Sequence, residues 1–185
     1  MRTIWQTMIQ PKLDYCSQLW SPGDQESINK IENVQRNFLS KVTGMRDMHY
    51  WSQLKTMSLS SQERRRERYM IIFLWKISQH MVDGYEVPFY VNPRRGRLIV
   101  LNHSLRGTAS KVRKARDCSL AIKGAKLFNL LPAYIRNIDS EDVTLFKYEL
   151  DSFLSGIPDE LTIRGSSRGV ESNSLLHQIP LLRRM

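Results

Sequence analysis

Cysteine is scarce. Cys16 and Cys118 are the only two in 185 residues, too few for a disulfide framework or a four-thiolate zinc site, and their isolation suits a reducing compartment. Long apolar runs are missing as well: the longest, Tyr69 to Trp75, falls far short of the roughly 20 residues that a bilayer span needs. The opening Met1-Arg2-Thr3-Ile4-Trp5-Gln6 lacks the apolar stretch of roughly 7–15 residues that marks a secretory signal. No membrane partner is expected. Catalytic signatures are lacking too, with no Walker-type glycine loop, no His-Glu-x-x-His and no Cys-x-x-Cys. His49, His80, His103 and His177 are scattered, none within four residues of another His or Cys, so neither a metal nor another cofactor is expected.

Acidic residues are absent from one long stretch, and there the sequence becomes informative. Between Glu86 and Asp117 no Asp or Glu occurs, while Arg94, Arg95, Arg97, Arg106, Lys111, Arg113, Lys114 and Arg116 supply eight cations. Residues 87–136 together carry the entire formal net charge of +10, and the remainder of the chain is balanced. Charge so concentrated points to a polyanionic partner for that segment rather than to general solubility. At 25% charged and 41% apolar, the chain is nonetheless of globular composition, with enough apolar surface for a core.

Apolar spacing predicts helices through the first half. Ile4, Trp5, Met8, Ile9, Leu13, Cys16, Leu19 and Trp20 fit an amphipathic helix from Arg2 to Leu19 that kinks or restarts at Pro11, and Ser21-Pro22-Gly23 ends it. Asp24 reads as the N-cap of a second helix whose apolar stripe runs from Ile28 to Val42 and ends at Gly44. A short helix over Tyr50 to Met57 follows, then a long one capped by Ser60 or Ser61 and stopping before Gly84. Residues 85–117 read as an irregular basic segment, with Arg97 to Leu101 the one run of strand character. Helix returns over Leu120 to Leu131 and again from about Ser140, with Glu141 and Asp142 at its positive end, until Gly156. The expected architecture is all-α: an irregular helical bundle made of a helical region 1–84, the basic segment 85–117, C-terminal helices 118–160 and a disordered tail 161–185.

Each candidate site has a plainer alternative. Arg64, Arg65 and Arg68 could track phosphates, or could lie on a solvated helix face with Glu63 and Glu67 as partners. The acid-free segment is the stronger candidate for nucleic-acid contact. Trp5, Trp20, Trp51 and Trp75 could stack on bases, but their place on or beside apolar helix faces favours core packing. Asp139, Glu141 and Asp142 could hold Mg²⁺, although their place at a helix start favours capping.

Four ordered blocks resemble one family. The run Ile9-Gln10-Pro11-Lys12-Leu13-Asp14-Tyr15, continuing to Trp20-Ser21-Pro22, resembles the Pro-x-Leu-Glu/Asp-Tyr-x-x-x-x-Trp-x-Pro block near the end of the reverse transcriptases of LINE-type, jockey-like non-LTR retrotransposons. Ile31-Glu32-Asn33-Val34-Gln35-Arg36 is similar to that family's Leu-Glu-x-Val-Gln-Arg helix, and Leu59 with Arg64, Arg65 and Arg68 to its Leu-x-x-x-x-Arg-Arg helix. Lys126 to Pro132, then Phe146-Lys147 and Leu150-Asp151, resemble its closing elements. The resemblance covers roughly residues 2–158. It implies a thumb and post-thumb region that holds RNA or DNA by its backbone, inside the nucleus or cytoplasm, beside the polymerase palm of a parent protein. The family's aromatic-x-Asp-Asp palm motif does not occur in the sequence, so the resemblance implies no catalysis here, and the chain reads as a fragment. The competing expectation is a helical protein-interaction module that binds no nucleic acid; self-association is a further expectation, because helix faces meant for a palm would be exposed.

Overall fold

The computed structural model describes residues 1–83, 89–92, 94, 96–101, 116–160 and 173–182. The fold is mostly helical and carries one small antiparallel sheet. The first expected helix is broken into α1 (Arg2–Ile4), a π-helical turn (Trp5–Ile9), α2 (Gln10–Asp14) and α3 (Ser17–Trp20). The break between α2 and α3 falls at Cys16, whose φ of 51° is left-handed. Pro11 lies in the first turn of α2 directly after the π-helical turn, and the helical backbone runs on through it without a restart.

Two of the next three helices start at side-chain caps. Asp24 Oδ1 accepts the Ser27 N–H at 2.8 Å and opens α4 (Gln25–Leu39). That helix stops earlier than expected, because Ser40 forms its C-cap; Val42 and Gly44 lie in the following loop, where Gly44 takes φ +81°. Then come α5 (Tyr50–Met57) and α6 (Gln62–Ser78), the latter capped by Ser61 rather than Ser60. The α6 helix is the spine of the molecule: Met70, Ile71, Leu74 and Trp75 are fully buried along it.

Within the expected irregular segment 85–117, the described residues 89–92 and 98–101 are a correction, because they form a paired sheet. The anticipated strand exists as β2 (Leu98–Leu101), but it pairs with β1 (Phe89–Asn92), in the register Phe89–Leu101 through Asn92–Leu98. A second π-helical turn (Leu120–Gly124) leads into α7 (Ala125–Asn129), followed by α8 (Ala133–Arg136) and α9 (Val143–Ser155). Gly124 is needed at that turn, since a Cβ there would stand 2.6 Å from Leu74 Cδ1 on α6. Asp142, accepting the Thr144 N–H at 2.7 Å, caps α9. Trp75 stacks on Phe146 of α9 with centroids 4.4 Å apart, joining α6 to α9 within the core.

Within the expected tail 161–185, the described residues 173–182 also depart from expectation. They are ordered and include α10 (Leu175–Leu182), with Leu175 fully buried and Ile179 nearly so. Polar composition hid this short apolar helix, whose burial against the main core outweighs its internal Pro180. One core therefore draws on α6, both strands, the 120–157 region and α10, while Leu39, Tyr50 and Leu54 form a smaller cluster at the α4–α5 contact.

Candidate nucleic-acid interface

The basic hairpin is held from behind by two side chains. Asn129 accepts the Ile99 N–H at 2.8 Å and donates to the Ile99 carbonyl at 2.9 Å, completing the edge of β2 that β1 leaves open. Arg136 donates to the Gly96 carbonyl at 3.0 Å, and to the carbonyls of Asn129 and Leu131 at 2.9 and 2.8 Å. Gly96 is left-handed at φ +65°, and a side chain there would press on the Arg136 guanidinium. So Arg136, one of the cations of the basic region, fixes the hairpin turn.

Of the cations expected to meet phosphate, Arg94 and Arg97 are set at this turn. Arg94 is exposed, its backbone N–H donated to Asn92 Oδ1. Arg97 takes a left-handed φ of 54°, and its Nη1 lies 3.3 Å from Asp139, whose carboxylate is largely exposed. Arg116 is half-buried, with Nη2 3.9 Å from Asp117. Arg95, Arg106, Lys111, Arg113 and Lys114 lie outside the described residues. Of the other cations in 87–136, Lys123 is taken inward, pairing with Glu67 at 2.9 Å.

The second group, on α6, is arranged quite differently. Arg65 donates through Nε and Nη2 to both oxygens of Asp14, at 3.0 and 2.8 Å, and Tyr69 joins the pair. Arg68 grips Asp151 through Nε and Nη2, the latter at 2.7 Å. Arg64 is buried, donating to the Pro158 carbonyl at 2.8 Å, with Asp159 at 3.9 Å from its Nε. These partners are Asp14, Asp151 and Asp159, not the neighbouring Glu63 and Glu67 that helix spacing suggested. The three arginines, with Asp151 and Asp159, border a cleft of about 810 Å³ lined also by Lys55 and Trp51. The cleft lies near the start of α6 and the hairpin near its end, roughly 16 Å away at the helical rise per residue.

Beneath the α6 N-terminus lies a buried charge cluster that the sequence did not announce. Glu32 accepts the backbone N–H groups of Gln62 and Glu63, at 3.0 and 3.3 Å, and a short hydrogen bond from the Tyr50 hydroxyl. Burial raises the Glu32 carboxyl above its ordinary range, against the pull of these donors, and likewise raises the Tyr50 hydroxyl. Glu63 is pushed up to about 7, first by burial and then by Glu67, with Lys123 and Arg66 opposing. Arg66, equally buried, is drawn below its ordinary value by desolvation, while Glu32, Glu63 and Glu67 support its charge. Glu67 also anchors the C-terminal segment: it accepts the Leu175 N–H at 2.7 Å and the Ser174 hydroxyl. A helix-terminus carboxylate of this kind is the ordinary complement of free N–H groups.

The tryptophans divide. Trp5 and Trp75 are core residues and Trp51 is half-buried, but Trp20 is 41% exposed, its indole N–H donated to the Tyr15 carbonyl. Asp139, Glu141 and Asp142 do not converge on a metal site: Asp142 caps α9 and Asp139 faces Arg97. Among the described residues, no helix is long and apolar enough to cross a membrane. No family model, curated protein or solved structure matches the chain.

Proposed function

We propose that the chain is a nucleic-acid-holding C-terminal region of a LINE-type, jockey-like retrotransposon reverse transcriptase, without polymerase chemistry of its own. The observation that carries the proposal is the concentration of the entire net charge of +10 in residues 87–136, with no acidic residue between Glu86 and Asp117. Binding is electrostatic and independent of sequence, because phosphate contacts position a protein without reading bases. The resemblance adds support, since residues of the resembling blocks bond to one another over long range. Asp14 holds Arg65, Glu32 holds the start of α6, Arg68 holds Asp151, and Asn129 holds the hairpin. These bonds make the four blocks one scaffold, and the scaffold presents the basic hairpin.

The test is titration of the purified chain with RNA, DNA and hybrid at several salt concentrations. Affinities of roughly 10⁻⁵ M or better at low salt, falling steeply as salt rises, support the proposal. No binding supports the second reading, a protein-interaction module. One observation favours that alternative: Ile4, Met8, Tyr15, Leu19 and Trp20 expose apolar surface along the N-terminal segment, and exposed apolar surface favours association. Sedimentation at tens of micromolar separates the states, with self-association expected on either reading and a compact monomer contradicting it.

A further inference from the structure

Beside the hairpin lies a cleft of about 580 Å³, bordered by Ile77, His80, Tyr90, Arg97 and Asp139. This volume is in the range of small-ligand sites. Along β1 the side chains alternate, so Phe89 enters the core while Tyr90 stands 53% exposed at the cleft. Among the described residues the Tyr90 ring makes no aromatic or cation–π contact, and its exposure presents it for stacking. Arg97 reaches the same cleft from a left-handed backbone that non-glycine residues seldom adopt, and such outliers cluster where a side chain must be aimed. Its present anion, Asp139, is 79% exposed; exposed pairs contribute little to stability, so a phosphate can take the carboxylate's place.

We propose that this cleft is a subsite for one unpaired nucleotide of a single strand, its base stacked on Tyr90 and its phosphate on Arg97, with Arg94 next along the backbone. The inference rests on the nucleic-acid reading above and deepens it, because stacking discriminates between strands where phosphate contacts do not. In a duplex the base faces are covered by their neighbours, so Tyr90 has nothing to stack on. Asp139 acts as an internal competitor, occupying Arg97 until a phosphate displaces it.

The experiment is fluorescence anisotropy with a short single-stranded RNA and with the same sequence as a duplex, for wild type, Tyr90→Phe, Tyr90→Leu and Asp139→Asn. Tyr90→Leu keeps an apolar, strand-compatible residue at an exposed position and should weaken single-strand binding about tenfold, within the range for one stacked base. Duplex binding should change less than about twofold, and Tyr90→Phe should retain wild-type affinity for both. Asp139→Asn should tighten single-strand binding, because the phosphate then displaces no competitor, and should leave the slope against log salt little changed, because the number of phosphate contacts is the same. Equal loss on both nucleic acids in Tyr90→Leu, no loss on either, or no response to Asp139→Asn overturns the subsite while leaving the broader reading standing. Failure of wild type to bind either nucleic acid overturns both.

Discussion

Arg65 and Asp14 meet across 51 residues of sequence, with guanidinium Nε and Nη2 both on the carboxylate and the Tyr69 hydroxyl closing the group. The pair ties α2 to α6, and it makes Arg65 a structural residue rather than a free cation. Replacing Arg65 by Ala leaves a half-buried carboxylate with two weak partners, Tyr69 and Gln10, and should lower unfolding stability by about 1–3 kcal/mol. Chemical denaturation checks it. Asp14→Ala should cost a similar amount, and the double variant should cost less than the sum, since the two act as a unit.

Glu63 gives the fold a pH dependence of defined sign. Its carboxyl rises from 4.5 to about 7 on folding, so the folded state holds a proton that the unfolded state has released. The stability this contributes is fully present below about pH 4.5 and is lost as pH rises towards 7. Glu63→Gln should therefore stabilise the protein by about 2–3 kcal/mol at pH 8 and change it little at pH 4.5. Denaturation midpoints of both proteins across that range decide the matter; a Gln variant with no gain at pH 8 contradicts the assignment.

The C-terminal segment is part of the core. Leu175 is fully buried, and Glu67 binds the backbone at its position. Leu175→Ala should cost about 2–5 kcal/mol, as for other buried leucines. A disordered tail would make the same substitution neutral, so one thermal unfolding comparison separates the two.

Primer extension on an RNA template, with Mg²⁺ and then Mn²⁺, should show no template-directed incorporation above a protein-free control. The sequence offers no paired palm carboxylates that could position two metal ions. Incorporation that scales with protein concentration would contradict this.

The sequence made the caps legible. Asp24, Ser61 and Asp142 each accept a backbone N–H two or three residues ahead, a local relationship that residue type and spacing reveal. Long-range partners were not legible in the same way. Glu63 and Glu67 are the natural helical neighbours of the arginines by spacing, yet Arg65 and Arg68 found Asp14 and Asp151 in distant segments, and Glu67 turned to Lys123 and to α10. Strand β1 was hidden because Phe89-Tyr90-Val91-Asn92 is short and flanked by Pro88 and Pro93, and only its pairing with β2 defines it. At the candidate interface, the sequence identified the cations but not the Asn129 and Arg136 supports, whose partners are backbone atoms about 30 and 40 residues away.

The salt dependence of binding tests the central claim most directly. With about five phosphates neutralised, log K on duplex DNA should fall with log salt at a slope of roughly −4 to −5. Changing Arg94, Arg95, Arg97, Lys111, Arg113 and Lys114 together to Gln should flatten that slope markedly and weaken RNA, DNA and hybrid duplexes by similar factors. Arg64, Arg65 and Arg68 changed to Gln should alter the slope less, since these side chains are already engaged by Pro158, Asp14 and Asp151. A basic-segment variant that keeps wild-type affinity and slope, while the α6 variant loses both, would contradict the account.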